Sequence, residues 1–204
     1  MKRIATAVVL IPVVACLILY APSWAFIAAL IIVGLFALRE VVQIGKNAPV
    51  AWLGGVVYIG AAWVCAFYLR AISPHWLIFT FLLCWAGDTA ALYIGKNFGR
   101  HKLAPVISPG KTWEGAIASV VGGVVAGAVY AHFLIPAPVG LVLLVAAVGN
   151  IAGQIGDVVE SAYKRWGGVK DSGSSLPGHG GWLDRIDSSL LAIPAVLAMV
   201  WLAR

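Results

Sequence analysis

Eight carboxylates are scattered along this 204-residue chain, and seven of them lie in or beside two polar segments, about 96–114 and 160–186. Gln154, Asp157, Ser161 and Lys164 follow one another at i, i+3, i+7 and i+10, a spacing that puts them on one helical face. Asp184 and Asp187 stand one turn apart at the start of the last apolar run, where a helix dipole favours negative charge. Taken alone, that pair also reads as helix capping. Together, Asp157, Asp171, Asp184 and Asp187 form a set of hard oxygen donors without His or Cys, which suits Mg²⁺ better than Zn²⁺. Lys164, Arg165, Lys170 and Arg185 stand beside these acids, and the first polar segment adds Lys102, Ser108, Lys111 and Thr112. Cations mixed with Mg²⁺-type carboxylates are what a polyphosphate substrate requires. Gly180 and Gly181, in the run PGHGG, would let the backbone approach a phosphate closely. Each basic residue also reads, more blandly, as a solvated interfacial charge.

These residues must be positioned by an unusually apolar chain. It is 62% hydrophobic and 11% charged, against about 25% charged in a typical soluble domain. The apolar runs are continuous rather than alternating, which argues against a transmembrane barrel and predicts an all-α, polytopic membrane bundle. Seven candidate spans fall at about 4–20, 23–44, 51–69, 75–95, 115–135, 138–159 and 187–203, each near the roughly 20 residues that cross a hydrocarbon core. Ala21-Pro22-Ser23, Gly45-Lys46-Asn47, Ser73-Pro74 and Pro136 to Pro138 punctuate them. Gly122, Gly123 and Gly127 predict close helix packing rather than a phosphate loop, which would end in Lys-Ser/Thr. The basic start and the Val13-Ala15-Cys16 stretch resemble a signal peptide, but the apolar run continues to Tyr20 and predicts a retained first span. Cys16, Cys65 and Cys84 sit inside apolar runs without ligand spacing and predict neither metal site nor disulfide.

Charge orients the spans. With the N-terminus in the cytoplasm, twelve of the 14 basic residues fall on the inner side and only Arg70 and Arg204 on the outer, as the positive-inside rule favours. Both polar segments then face the cytoplasm, and the net charge of +6 lies beside anionic headgroups. Acids contribute little to topology, so their clustering needs another cause. Asp88 and Asp157 fall inside spans, where a carboxylate at the helix centre costs about 2.5–3.5 kcal/mol and usually faces a polar interior. Asp88 precedes Lys96 by eight residues, about 12 Å of helix.

SAYKRWGGVKDSGSSLPGHGGWLDRID, residues 161–187, resembles the signature of the phosphatidate cytidylyltransferases, or CDP-diacylglycerol synthases: S-x-x-K-R, four residues, K-D, then P-x-H-G-G and D-R-x-D. WAGDTAALYIGKNFGRHKLAPVISPGKTWEG, residues 85–115, resembles the same family, and the likeness covers roughly the last 120 residues. Tyr163 and Trp182 depart from the usual aliphatic residues. The resemblance implies a catalytic membrane domain over 75–204 and N-terminal helices over 1–74 that are short for the family. It implies that CTP and phosphatidate give CDP-diacylglycerol and pyrophosphate at the cytoplasmic face of a bacterial inner membrane. The partners would be CTP, phosphatidate and membrane lipid, with a homodimer suggested by the family and no nucleic acid. The cofactor would be Mg²⁺, with a monovalent second ion left open.

On that resemblance Asp157, Asp184 and Asp187 are the expected metal ligands, with Asp171 and Asp88 in supporting places. Lys164, Arg165, Lys170 and Arg185 hold phosphates, and Lys102, Ser108, Lys111 and Thr112 close the site, with Ser161, Gly180 and Gly181 contacting substrate. The acceptor is a phosphate monoester with a second pKa near 6, so no strong general base is required. His179 is then a phosphate contact or loop organiser. Glu114 also reads as a charge at a helix N-terminus.

A CDP-alcohol phosphotransferase is disfavoured because its D-G-x-x-A-R run with two following aspartates is absent, and three other readings remain open on the residues alone. A CTP-dependent polyprenol or phytol kinase would move the γ-phosphoryl group to an alcohol, and would want a base that the sequence does not offer. A transporter would spread its acids through the membrane depth and often carries an internal repeat, whereas these crowd one face. A structural subunit gives no reason for clustered carboxylates.

Overall fold

A computed structural model describes residues 2–46, 48–173, 175 and 180–204. Seven helices follow one another: α1 (Lys2–Tyr20), α2 (Ser23–Ile44), α3 (Pro49–Ile72), α4 (Pro74–Phe98), α5 (Trp113–Leu134), α6 (Val139–Trp166) and α7 (Leu183–Leu202). Among the described residues six of them, α2 to α7, are long and apolar enough to cross a membrane, and Ile11–Tyr20 of α1 adds a shorter apolar stretch. The polytopic helical class read from composition is therefore what the chain adopts, and the protein is an integral membrane protein.

The breaks follow local chemistry. Pro74 opens α4 behind Ser73, whose side chain accepts from the His75 amide, the Pro-at-N1 arrangement that suits a helix start. Thr112 caps α5 by accepting from the Gly115 amide at 3.2 Å. Two boundaries differ from the sequence reading. α6 does not stop near residue 159 but runs on through Glu160 and Lys164 to Trp166. That i, i+4 pair is compatible with a helix, and the stop is Gly167-Gly168, with Gly168 at φ +78°, a conformation that favours glycine. Between α4 and α5 the expected loop contains an antiparallel hairpin, β1 (Lys102–Ala104) and β2 (Ser108–Thr112), in register at Lys102 with Thr112 and Ala104 with Ser108.

α4 and α5 approach closely through small residues. A Cβ at Gly122 would lie 2.7 Å from the Ala90 Cβ, and one at Gly127 2.7 Å from Leu83 Cδ2. The opposite face of α5 exposes Ile117, Val121, Val125, Val129 and Phe133 at four-residue spacing, as a lipid-facing stripe does. The main core gathers Phe79, Leu83, Val145, Ile193 and Val196 from α4, α6 and α7. A second cluster of Ala37, Val41, Ile59, Leu183, Ile186 and Leu190 packs α2 and α3 against the start of α7. α1 is tied in by Arg70, whose Nε donates to the Ile18 carbonyl at 2.8 Å and whose Nη2 donates to the Ala21 carbonyl.

Candidate active site

The hairpin, the tops of α4 and α5 and the polar face of α6 enclose a cavity of about 390 Å³. Asp88 and Lys96 enter it from α4, Lys102 and Lys111 from the hairpin, Ser119 from α5, and Gln154 and Asp157 from α6. Below it, Asn150 of α6 donates to the Leu83 carbonyl at 3.1 Å and accepts from Ser119 and Gln154. This buried, satisfied network fixes the three helices that carry the cavity floor. The hairpin is held over it by Glu114, which accepts from the His101 amide and lies 2.6 Å from His101 Nδ1.

At the cavity edge Lys111 Nζ meets Asp157 Oδ2 at 2.7 Å. Asp157 also accepts weakly from Ser161 Oγ at 3.4 Å. Behind Asp157, carboxylate oxygens of Asp157, Glu160 and Asp187 lie within 4.8 Å of one another. Opposite oxygens around a metal with 2.0–2.1 Å bonds are about 4 Å apart, so a small adjustment would let the three share an ion. The donors are all hard oxygens. Glu160 is buried, with Lys164 Nζ 3.1 Å from its Oε2. Carboxylates gathered this closely repel one another, and a divalent cation among them would relieve that repulsion.

Asp184 is placed differently from Asp187. Its Oδ1 accepts from Lys164 Nζ at 2.6 Å. Its Oδ2 faces the Ser172 amide, the Ser172 hydroxyl and the Gly181 amide at 2.9–3.0 Å. Both oxygens are occupied by protein donors, so Asp184 clamps the segment after α6 and stands outside the three-carboxylate group. Gly180 sits against this clamp at φ +78°, where a Cβ would lie 2.5 Å from Asp184 Oδ2; only glycine suits both the conformation and the space.

The remaining expected residues separate. Arg165 is exposed and stitches the hairpin to the end of α6, donating to the Ile107 and Val169 carbonyls. Lys170 and Asp171 are exposed, with no hydrogen bond or ion pair to the cluster among the described residues. Thr112 is buried as the α5 cap, Ser108 begins β2, and Gly181 packs against Ser172. Arg185 does not line the polar cavity. It lies with Trp182 among the walls of a second, apolar cavity of about 330 Å³ between α1, α2, α3, α4 and α7. His179 lies outside the described residues.

Two acids with no role in the sequence reading become prominent. Glu160 is three residues from Asp157 and four from Lys164, so helical spacing alone could have found it. Glu40 has no such signal. It is buried on α2 and accepts from Ser172, Ser175, Trp182 and Leu183.

Residues 56–203 match the model of the cytidylyltransferase family. A phosphatidate cytidylyltransferase of Staphylococcus haemolyticus is 43% identical over 143 residues, 70% of this chain and 55% of the relative. Proteins of the same name from Staphylococcus saprophyticus and Staphylococcus aureus are 40% and 41% identical over the same shares. The chain thus spans about half the length of the curated relatives it matches.

Proposed function

The chain belongs to the cytidylyltransferase family, and from that premise we propose that it acts as a phosphatidate cytidylyltransferase. The observation that carries this reading is the meeting of a lysine-lined polar cavity with three convergent carboxylates, joined by the Lys111–Asp157 ion pair, at one end of an apolar bundle. Lys96, Lys102 and Lys111 give the triphosphate of CTP its cationic contacts in the polar cavity. Asp157, Glu160 and Asp187 would hold Mg²⁺, which when bound neutralises phosphate oxygens. The acceptor phosphate oxygen forms a bond to the α-phosphorus as the bond from that phosphorus to the bridging oxygen breaks, and pyrophosphate leaves. The acceptor is already largely dianionic at pH 7, so the chain supplies position and charge rather than a base. Lys164, held between Glu160 and Asp184, keeps a cation beside the acids.

The apolar cavity suits part of a diacyl tail. Ile18, Phe26, Leu30, Trp63 and Leu77 line it, and Arg185 adds a cation to its wall that would attract the lipid phosphate. In this reading the protein sits in a bacterial cytoplasmic membrane with the hairpin and the 167–182 segment in the cytoplasm. A homodimer, and a monovalent ion beside Mg²⁺, belong to the same reading.

The test is purified protein in detergent with phosphatidate, Mg²⁺ and CTP labelled separately at the α and γ positions. The expected result is α label in lipid, release of pyrophosphate, and loss of both in Asp187→Asn. γ label entering a polyprenol would make the protein a kinase. No label in lipid under any acceptor would end the transferase reading for this chain.

A further inference from the structure

Glu40 lies in a run of α2, FALREVVQI, outside the residues matched by the family model. Glu40 is 3% exposed, yet no cation pairs with its carboxylate among the described residues. Four donors take that place. Oε2 accepts from Ser172 Oγ at 2.7 Å and the Leu183 amide at 2.9 Å. Oε1 accepts from Ser175 Oγ at 3.2 Å and the Trp182 amide at 3.0 Å. Two donors belong to the segment that follows α6, and two are amides at the very start of α7. Trp182 provides no side-chain cap for α7, so a carboxylate from another helix satisfies those orphan amides and meets the positive end of the dipole. Gly181 lies between, where any Cβ would collide with Glu40 Oε2 and Ser172 Oγ.

The contact continues into the site. The Ser172 hydroxyl is within reach of both Glu40 and Asp184, and its one proton serves one of them at a time. Asp184 holds Lys164, and Lys164 lies against Glu160. One turn into α7, Asp187 joins the three-carboxylate group.

We propose that Glu40 is a positioning residue, which sets the start of α7 and so the placement of Asp187 against Asp157 and Glu160. Its effect on catalysis rests on the transferase reading above; its effect on cation binding does not. Gln at this position keeps one oxygen but turns an NH₂ group toward either Trp182 N or Leu183 N. A hydroxyl can rotate to accept from it, and a backbone amide cannot, so Glu40→Gln loses one of the two amide contacts in either orientation. Asp retains the charge on a shorter stem and recovers part of the set.

The experiment compares full-length wild type, Glu40→Gln, Glu40→Asp and Gln43→Ala, an exposed α2 control, in detergent. It measures Mn²⁺ affinity by electron paramagnetic resonance, hydrogen exchange of peptides covering α2, α3 and residues 180–190, thermal midpoint, and kcat and KM for cytidylyl transfer. Glu40→Gln is expected to lose about tenfold or more in Mn²⁺ affinity and kcat, the range typical of groups that orient metal ligands. KM for CTP should stay near wild type, exchange should rise at the start of α7, and Glu40→Asp should fall between. Wild-type Mn²⁺ affinity in Glu40→Gln overturns the proposal. So does faster exchange spread equally over α2, α3 and α7, which would make Glu40 a general fold residue. A wild type that binds Mn²⁺ but transfers no label would sink the transferase reading while the Mn²⁺ and exchange results still judge Glu40.

Discussion

Replacing Lys164 with Met removes the only cation found between Glu160 and Asp184 among the described residues. Its Nζ is 2.6 Å from Asp184 and 3.1 Å from Glu160, and the three side chains are 12%, 9% and 4% exposed. At an effective dielectric near 20, unit charges about 3 Å apart attract by about 5 kcal/mol, and desolvation offsets part of that. Removing one partner of such a pair leaves a buried charge uncompensated, and the loss is about 3–5 kcal/mol. Lys164→Met should therefore unfold at much lower denaturant in mixed micelles, followed through the nine tryptophans. Asp184→Asn in the same background removes one uncompensated charge, so the double variant should be less damaged than the two single losses added together, by about 1–3 kcal/mol. Mg²⁺ should stabilise Lys164→Met more than wild type, because the acids have lost their internal cation; at a hundred times Kd, binding contributes about 2.7 kcal/mol. Additivity within about 0.5 kcal/mol, or equal Mg²⁺ stabilisation of both proteins, would refute the view that Lys164 is the counter-ion of this acid cluster.

Gly180→Ala should destabilise by about 1–2 kcal/mol from the left-handed backbone alone, and by more because the new Cβ meets Asp184 at 2.5 Å; a denaturation midpoint equal to wild type would contradict the clamp geometry. Leu30→Trp, which narrows the apolar cavity, should raise KM for long-chain phosphatidate several-fold and leave KM for CTP unchanged, read by steady-state transfer with acyl chains of graded length; equal shifts in both would place the lipid elsewhere.

The helical membrane class and the family were legible because each rests on contiguous sequence: apolar runs near 20 residues, and two dense polar motifs. Residues 160–186 read as a polar loop outside the span, although the spacing of Gln154, Asp157, Ser161 and Lys164 already carried a helical face past residue 159; hydrophobicity reports burial in lipid, and a helix can rise out of lipid unbroken. Glu160 and Lys164 are neighbours on such a helix, and the chain turns only at Gly167-Gly168. The hairpin was illegible for the opposite reason. SPGKT has poor strand propensity, and its pairing is closed at the open end of the hairpin by the His101–Glu114 contact and the Trp113 amide on the His101 carbonyl.

The acids divide along the same line. Spacing on one helix could have paired Asp157 with Glu160, but no spacing rule separates Asp184 from Asp187. They stand one turn apart with the same chemistry, and what divides them is the partner each meets. Asp184 meets Lys164 and the amides of Ser172 and Gly181. Asp187 has its Oδ1 against its own neighbour Ser188 and joins the three-carboxylate group. Glu40 lies further still from any sequence rule, because its partners are 132 to 143 residues away. A buried carboxylate in an apolar helix nevertheless poses a definite question: it must find donors, and no cation stands three or four residues away on its own helix face, so two distant hydroxyls and two distant amides supply them. The start of a distant helix is the densest supply of unpaired amides a helical bundle has. In this chain that start is α7, the helix that carries Asp187. The residue hardest to interpret from sequence is thereby tied to the helix that completes the three-carboxylate group begun by Asp157 and Glu160 on α6.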